Sequence, residues 1–320
     1  MNLHELINSA HLDMFKPVND YIYNWVEERD DKGNLLCRYR TKFGEKDGEY
    51  KVWFSGTRQL EISCYYKEGK LDGTYISWWA DGEVCIQSFW KDGLRHGEYK
   101  SYLYDGKLRF CCNYNNNLLH GEYKLYENGK ISELRNYKFG KLHGEYRVYN
   151  ERMPKVHCYY IEDELHGEYK EWFRNGQLME NRYYKLGKLH GENKEYYSDS
   201  QKNRINNIRV HNFYNEGERE GRCVEWYPSG QLKLDINYKN GVLHGEYKEW
   251  INSGQIYYVC NYKMGKLHGN YKVWWSNGQL KKSYFIKDEK IEGEYLEWNE
   301  KGYLIQRVNY VDGIKVNIIN

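Results

Sequence analysis

Apolar and polar residues alternate along most of this chain in short stretches broken by glycine. Gly245 to Gly269 gives the pattern: G-E-Y-K-E-W-I-N-S-G-Q-I-Y-Y-V-C-N-Y-K-M-G-K-L-H-G. Alternation with a period of two predicts half-buried β-strands. A first strand carries E-Y-K-x-W. A turn follows at Asp81-Gly82, Asp105-Gly106, Asn128-Gly129, Asn175-Gly176 and Asn277-Gly278, dipeptides that accept the positive φ of a tight turn. In the second strand one column holds Leu60, Val84, Leu108, Leu178, Leu232 and Ile256. Six residues on, another holds Tyr66, Trp90, Tyr114, Tyr184, Tyr238 and Tyr262. Six is even, so both columns are expected on one face. Cys64, Cys112, Cys158 and Cys260 fall between them, as small apolar residues of a packing face. A second turn, K-x-G-K-L-H-G, links each hairpin to the next, which predicts antiparallel neighbours in a continuous sheet. Tyr247 and Trp250 stand three apart. Either a bulge corrects their parity, or the sheet presents aromatics on both sides.

The hairpin repeats. Glycines of the H-G-E-Y string stand at 48, 73, 97, 121, 144, 167, 191, 221, 245, 269 and 293, about 24 residues apart with one spacing of 30. A period of this length marks a repeat array. The structural glycines of its clearest copies are Gly97, Gly121, Gly144, Gly167, Gly191, Gly245 and Gly269. About twelve units fill residues 19–320. Each adds two strands, or about 10 Å, so the expected body is a twisted rod of about 100–120 Å. Leu3, Leu6, Ile7, Ala10 and Met14 lie on one helical face ahead of Pro17. Residues 1–18 are therefore expected to be a helical cap on the first hairpin. The long spacing is a polar insertion around Ser198 to Arg204, read first as a tolerated surface turn, with a partner contact as the alternative.

These units resemble the variant form of the MORN repeat. Gly245, Tyr247, Trp250, Gly254, Tyr262, Gly265 and Gly269 carry that pattern, which runs over residues 20–315. The resemblance implies an all-β, elongated, single-layer antiparallel hairpin solenoid used for scaffolding or dimerisation. It also implies two other roles held by family members: phospholipid binding, and, in bacterial members, an antitoxin that binds a partner toxin. The odd Tyr/Trp spacing and the H-G-E insertion depart from the commonest form, so no lipid or dimer residue is carried over.

Charge narrows the partners. Lys and Arg number 48 and Asp and Glu 46, a net charge of +2 with the signs interleaved. That disfavours nucleic acid, which a binder meets with clustered positive charge. Glu98, Glu122 and Glu246, with Lys100, Lys124 and Lys248, are expected to form cross-strand pairs on a wet face. Eight cysteines without a C-x-x-C spacing suggest free thiols in a reducing compartment, the cytoplasm, of a host cell if the source is viral. No apolar run reaches membrane-spanning length, and Met1 to Asp13 does not read as a secretory signal.

His96, His120, His143, His166, His190, His244 and His268 invite a metal reading. Equivalent positions lie about 10 Å apart, too far for one ion. They are expected to be structural, bonded to the adjacent Glu or to backbone. No catalytic residue, metal or cofactor is expected, because a thin sheet of like units offers no pocket of unlike groups. The expected function is a non-catalytic scaffold binding protein partners or further copies of itself. Tyr247, Trp250, Tyr262 and Trp274, since Tyr and Trp favour interfaces, and Ser200, Lys202 and Arg204 of the insertion are the candidate contacts. The alternatives are a peripheral phospholipid-binding module or an antitoxin-like protein.

Overall fold

The computed structural model describes residues 23–151, 153–198 and 208–316. The expected N-terminal helix lies outside them. Every regular element among the described residues is a β-strand. The chain divides into two compact units, Met1–Gly144 and Glu145–Asn320. Within the first, strands from Tyr23–Arg29 to Lys130–Lys138 pair antiparallel with their neighbours in sequence. Within the second, strands from Met153–Ile161 to Ile314–Val316 do the same. This is the all-β hairpin ladder that the period predicts.

The two turns exchange the roles expected of them. In K-M-G-K, Met264 and Gly265 both take left-handed φ, 52° and 80°, between the paired Lys263 and Lys266. This two-residue turn has the twist that hairpins prefer. It ends there: the following K-L-H-G belongs to strand, not to turn, as in Val242–Trp250. At most N-G and D-G sites only the glycine is left-handed, as at Gly278 with φ 87°. Asn277 instead accepts the backbone N–H of Gln279 on its Oδ1 at 3.0 Å. A short polar side chain that imitates a backbone turn explains the residue choice. Asn128-Gly129 is different, with both φ positive.

Most of the described repeats contain two bulges. His244, Gly245 and Glu246 stand opposite the single residue Asn237, because Leu243 pairs with Tyr238 and Tyr247 with Ile236. Gly245 has φ 93°, a conformation that a side chain disfavours. The glycine of H-G therefore makes a bulge inside a strand. In the returning strand, Trp250 pairs with Ile256 and Glu249 with Tyr258, which leaves Tyr257 as the extra residue. The same shift recurs at Trp53, Trp172 and Trp298.

Candidate interaction faces

The position of the second bulge settles where the aromatics point. It lies in the returning strand, so alternation in Val242–Trp250 is unbroken from Gly245 to Trp250. Tyr247 therefore faces one side, and Glu246, Lys248 and Trp250 face the other. Ile256, directly opposite Trp250, joins the tryptophan side. This corrects the expectation that the Leu/Ile and Tyr columns share a face. The bulge between them breaks the even count.

The tyrosine face is the packed one. Tyr247 stands opposite Cys260, and its ring lies 5.9 Å from that of Tyr262. Tyr99 and Tyr114 flank Cys112 in the same way, at 5.8 Å. Rings this close, tilted or edge-on, pack favourably. Cys64, Cys112, Cys158 and Cys260 beneath such rings are at most 2% exposed. Burial pushes the Cys158 thiol up to about 11 and, foremost among several causes, the Tyr247 hydroxyl up to about 12. A thiol needs no strong hydrogen-bond partner, which suits it to a layer one side chain thick.

This layer has a polar interruption in the second unit. Arg182, Asn193 and Asn212 occupy successive opposed positions, where other repeats place Tyr or Cys. Asn193 and Asn212 are each 3% exposed. Asn212 bonds the Cys223 thiol, whereas the Asn193 Oδ1 has no partner. Beside them the buried Glu180 pairs with Arg182. Burial pushes the Glu180 carboxyl up, while the Arg182 guanidinium opposes that shift.

The lysine face is wet, and its repeated Glu-x-Lys pairs run along strands, while Arg222–Asp235 and Arg307–Glu294 cross between strands. Lys248 Nζ lies 2.6 Å from Glu246 of its own strand. Lys51–Glu49, Lys100–Glu98, Lys124–Glu122, Lys170–Glu168 and Lys194–Glu192 repeat that pair at 2.6–2.8 Å. The expected cross-strand pairing is thus corrected for these residues. Two residues along a strand share a face, which brings the charges together without a partner strand. Exposed pairs of this kind add little stability.

A second aromatic column lies on this face and escaped the sequence reading. Tyr159, Tyr183 and Phe213 belong to three consecutive repeats and are 39%, 47% and 39% exposed. Tyr183 stands opposite Glu168, and Phe213 opposite Glu192. The His157 and His211 rings lie 5.2 and 4.8 Å from Tyr159 and Phe213. The signal was an aromatic residue immediately before the Tyr column, where Asn113, Asn237 and Asn261 stand in other repeats.

His120, His166 and His244 bond to backbone, whereas the buried Nδ1 of His96 and of His190 has no partner. His244 accepts the Met264 N–H on Nδ1 at 3.4 Å, and His166 the Leu186 N–H at 3.5 Å. Asp72, Glu220 and Glu292 do the same in other repeats at 3.1, 2.7 and 2.9 Å. Each holds the left-handed residue of the next two-residue turn. Among the described residues no three metal-ligating side chains converge, and no helix is long and apolar enough to cross a membrane.

The sequence candidates therefore fall on two sides. Tyr247 and Tyr262 pack together on the tyrosine face, half-buried. Trp250 and Trp274, also half-buried, lie on the lysine face of neighbouring repeats. Ser200, Lys202 and Arg204 lie outside the described residues.

No curated protein matches the chain. A family model, described as the MORN repeat variant, matches residues 95–116, 165–186, 219–240, 243–264 and 267–288. Each stretch spans one hairpin, from the bulged leading strand to the next two-residue turn. Such repeats are in general non-catalytic modules for protein or membrane interaction. At these five positions the chain is similar to the MORN repeat variant.

Proposed function

We propose that this protein is a non-catalytic scaffold that holds protein partners against its sheet, with the lysine face as the principal contact. The exposed stripe Tyr159, Tyr183 and Phe213 carries this reading. Exposed aromatics bury large area at low entropic cost, and the flanking Glu and Lys side chains supply a polar rim. Tyr247 and Tyr262, packed over Cys260, support the sheet from behind. The test is light scattering and affinity capture with the full chain and with Tyr183→Ala. Retention of a partner or self-association by the wild type, weakened by the variant, supports the reading. An inert monomer, or binding indifferent to Tyr183→Ala and Phe213→Ala, removes it.

The turn tips favour a second reading. Leu186 and Met264 are 52% and 62% exposed, each between two lysines in K-L-G-K and K-M-G-K. Apolar tips flanked by cations suit an anionic phospholipid surface. Flotation with anionic liposomes at physiological salt tests it, and absence from the lipid fraction ends it.

A further inference from the structure

The repeat between Gly144 and Gly167, which has no turn glycine, forms a groove at the edge of the second unit. Its strands run to Asn150 and resume at Met153, and Glu151 between them takes φ 59°. The next repeat keeps the usual loop, with Phe173 N–H bonded to Gln177 O at 2.8 Å and Gly176 N–H to Phe173 O at 2.9 Å. A shorter turn beside a longer one leaves a step. Met153 reaches across it, with its Cε only 2.2 Å from where a Cβ on Gly176 would stand. The resulting groove has a volume of about 390 Å³, within the range of ligand sites.

Its chemistry is one-sided. Tyr149, Trp172 and Phe173 supply rings, Met153 and Pro154 apolar surface, and, among the described residues, Lys155 and Arg174 the charges. Among the described residues no carboxylate lines it. Lysines on the leading strands are paired with glutamates, as Lys170 is with Glu168. Lys155 and Arg174 have no acidic partner among the described residues, and both are exposed.

We infer that this groove binds an acidic peptide segment of a protein partner, with one large apolar residue among Met153, Trp172 and Phe173 and its carboxylates on Lys155 and Arg174. The inference deepens the scaffold reading and rests on it. An apolar anchor gives such a contact its affinity, and the cations give orientation and rate of encounter. A guanidinium at Arg174 also takes a carboxylate with two parallel hydrogen bonds.

The probe is a fluorescein-labelled pentapeptide set, Glu-Asp-Φ-Glu-Asp, with Φ as Trp, Phe, Leu or Met. Binding to the full chain is read by anisotropy beside a Lys-Lys-Φ-Lys-Lys set. The expected result is saturable binding of at least one acidic peptide, weakened about tenfold or more by Lys155→Glu with Arg174→Glu. Lys107→Glu, at a turn in the first unit, should leave it unchanged. Arg174→Gln, a neutral change at an exposed turn, repeats the test without charge reversal, and thermal unfolding checks that both variants fold. No saturable binding, equal binding of the basic set, or indifference to both variants overturns the inference. Peptide binding without any captured partner would sink the scaffold reading and keep the groove. A captured partner indifferent to Arg174→Gln would do the reverse.

Discussion

The Tyr227 hydroxyl donates to the backbone carbonyl oxygen of Trp250, 2.9 Å away in the next repeat. Tyr197 makes the same bond to Trp226 at 2.8 Å, and the Trp275 indole N–H bonds to Trp298 at 3.1 Å. In these three repeats the residue after the W position ties one turn to the next along the sheet edge, whereas the Trp79 indole N–H has no partner. In an array whose repeats touch mainly their neighbours, such ties are interface terms. Tyr227→Phe removes the donor and keeps the ring. It should cost about 0.5–1.5 kcal/mol, read as a lower urea midpoint.

Most thiols should be silent in the folded protein. Of the eight cysteines only Cys85 and Cys111 are not buried. At pH 8, Ellman's reagent should label at most these two, and all eight after unfolding in urea. Burial pushes Cys64, Cys112, Cys158 and Cys223 from an ordinary 9.0 to about 11. The folded state therefore holds these protons more tightly than the unfolded chain. That contribution to stability is fully present below about pH 9 and is lost as the pH rises through about 11. Chemical unfolding across that window should find the midpoint falling with pH. A flat profile, or fast labelling of the buried thiols, contradicts the packing described.

Met264 should be replaceable with gain. Its φ of 52° suits glycine or asparagine, and Asn240 holds the same place one repeat earlier with φ 49°. A left-handed non-glycine residue costs about 1–2 kcal/mol, less for Asn. Met264→Asn should stabilise by about 0.5 kcal/mol in urea unfolding. The same variant should reduce liposome flotation if the lysine-flanked tips insert into lipid. Destabilisation would show that the methionine packs more than its exposure suggests.

Asn193 carries an unpartnered Oδ1 at 3% exposure. A buried acceptor without a donor costs about 1–3 kcal/mol. Asn193→Val, a β-branched residue in the strand Lys188–Tyr196, should therefore raise the unfolding free energy by about 1 kcal/mol. A loss of stability would show that the amide is satisfied in solution.

Much of the ladder was legible because the repeat reports each constraint many times. Cys64, Cys112, Cys158 and Cys260 could be placed on the packed face by counting from Tyr, and they are buried there. The count failed for Ile256, because a bulge is one residue without a composition of its own. It failed for Glu246 and Lys248 because spacing along a strand and pairing across strands both place charges on one face. The His244 acceptor was half legible: a backbone partner was expected, but only the folded chain identifies it as Met264 N–H.

The sequence by itself determined the period, the antiparallel hairpins and the absence of any long apolar span, since local alternation and glycine placement decide these. The tertiary structure alone decided which side Trp250 takes, and that Tyr159, Tyr183 and Phe213 form an exposed stripe. It alone brought Met153 over Gly176 and left Lys155 and Arg174 together at one groove. These depend on the register between strands, and one bulged residue is enough to move a side chain to the other face.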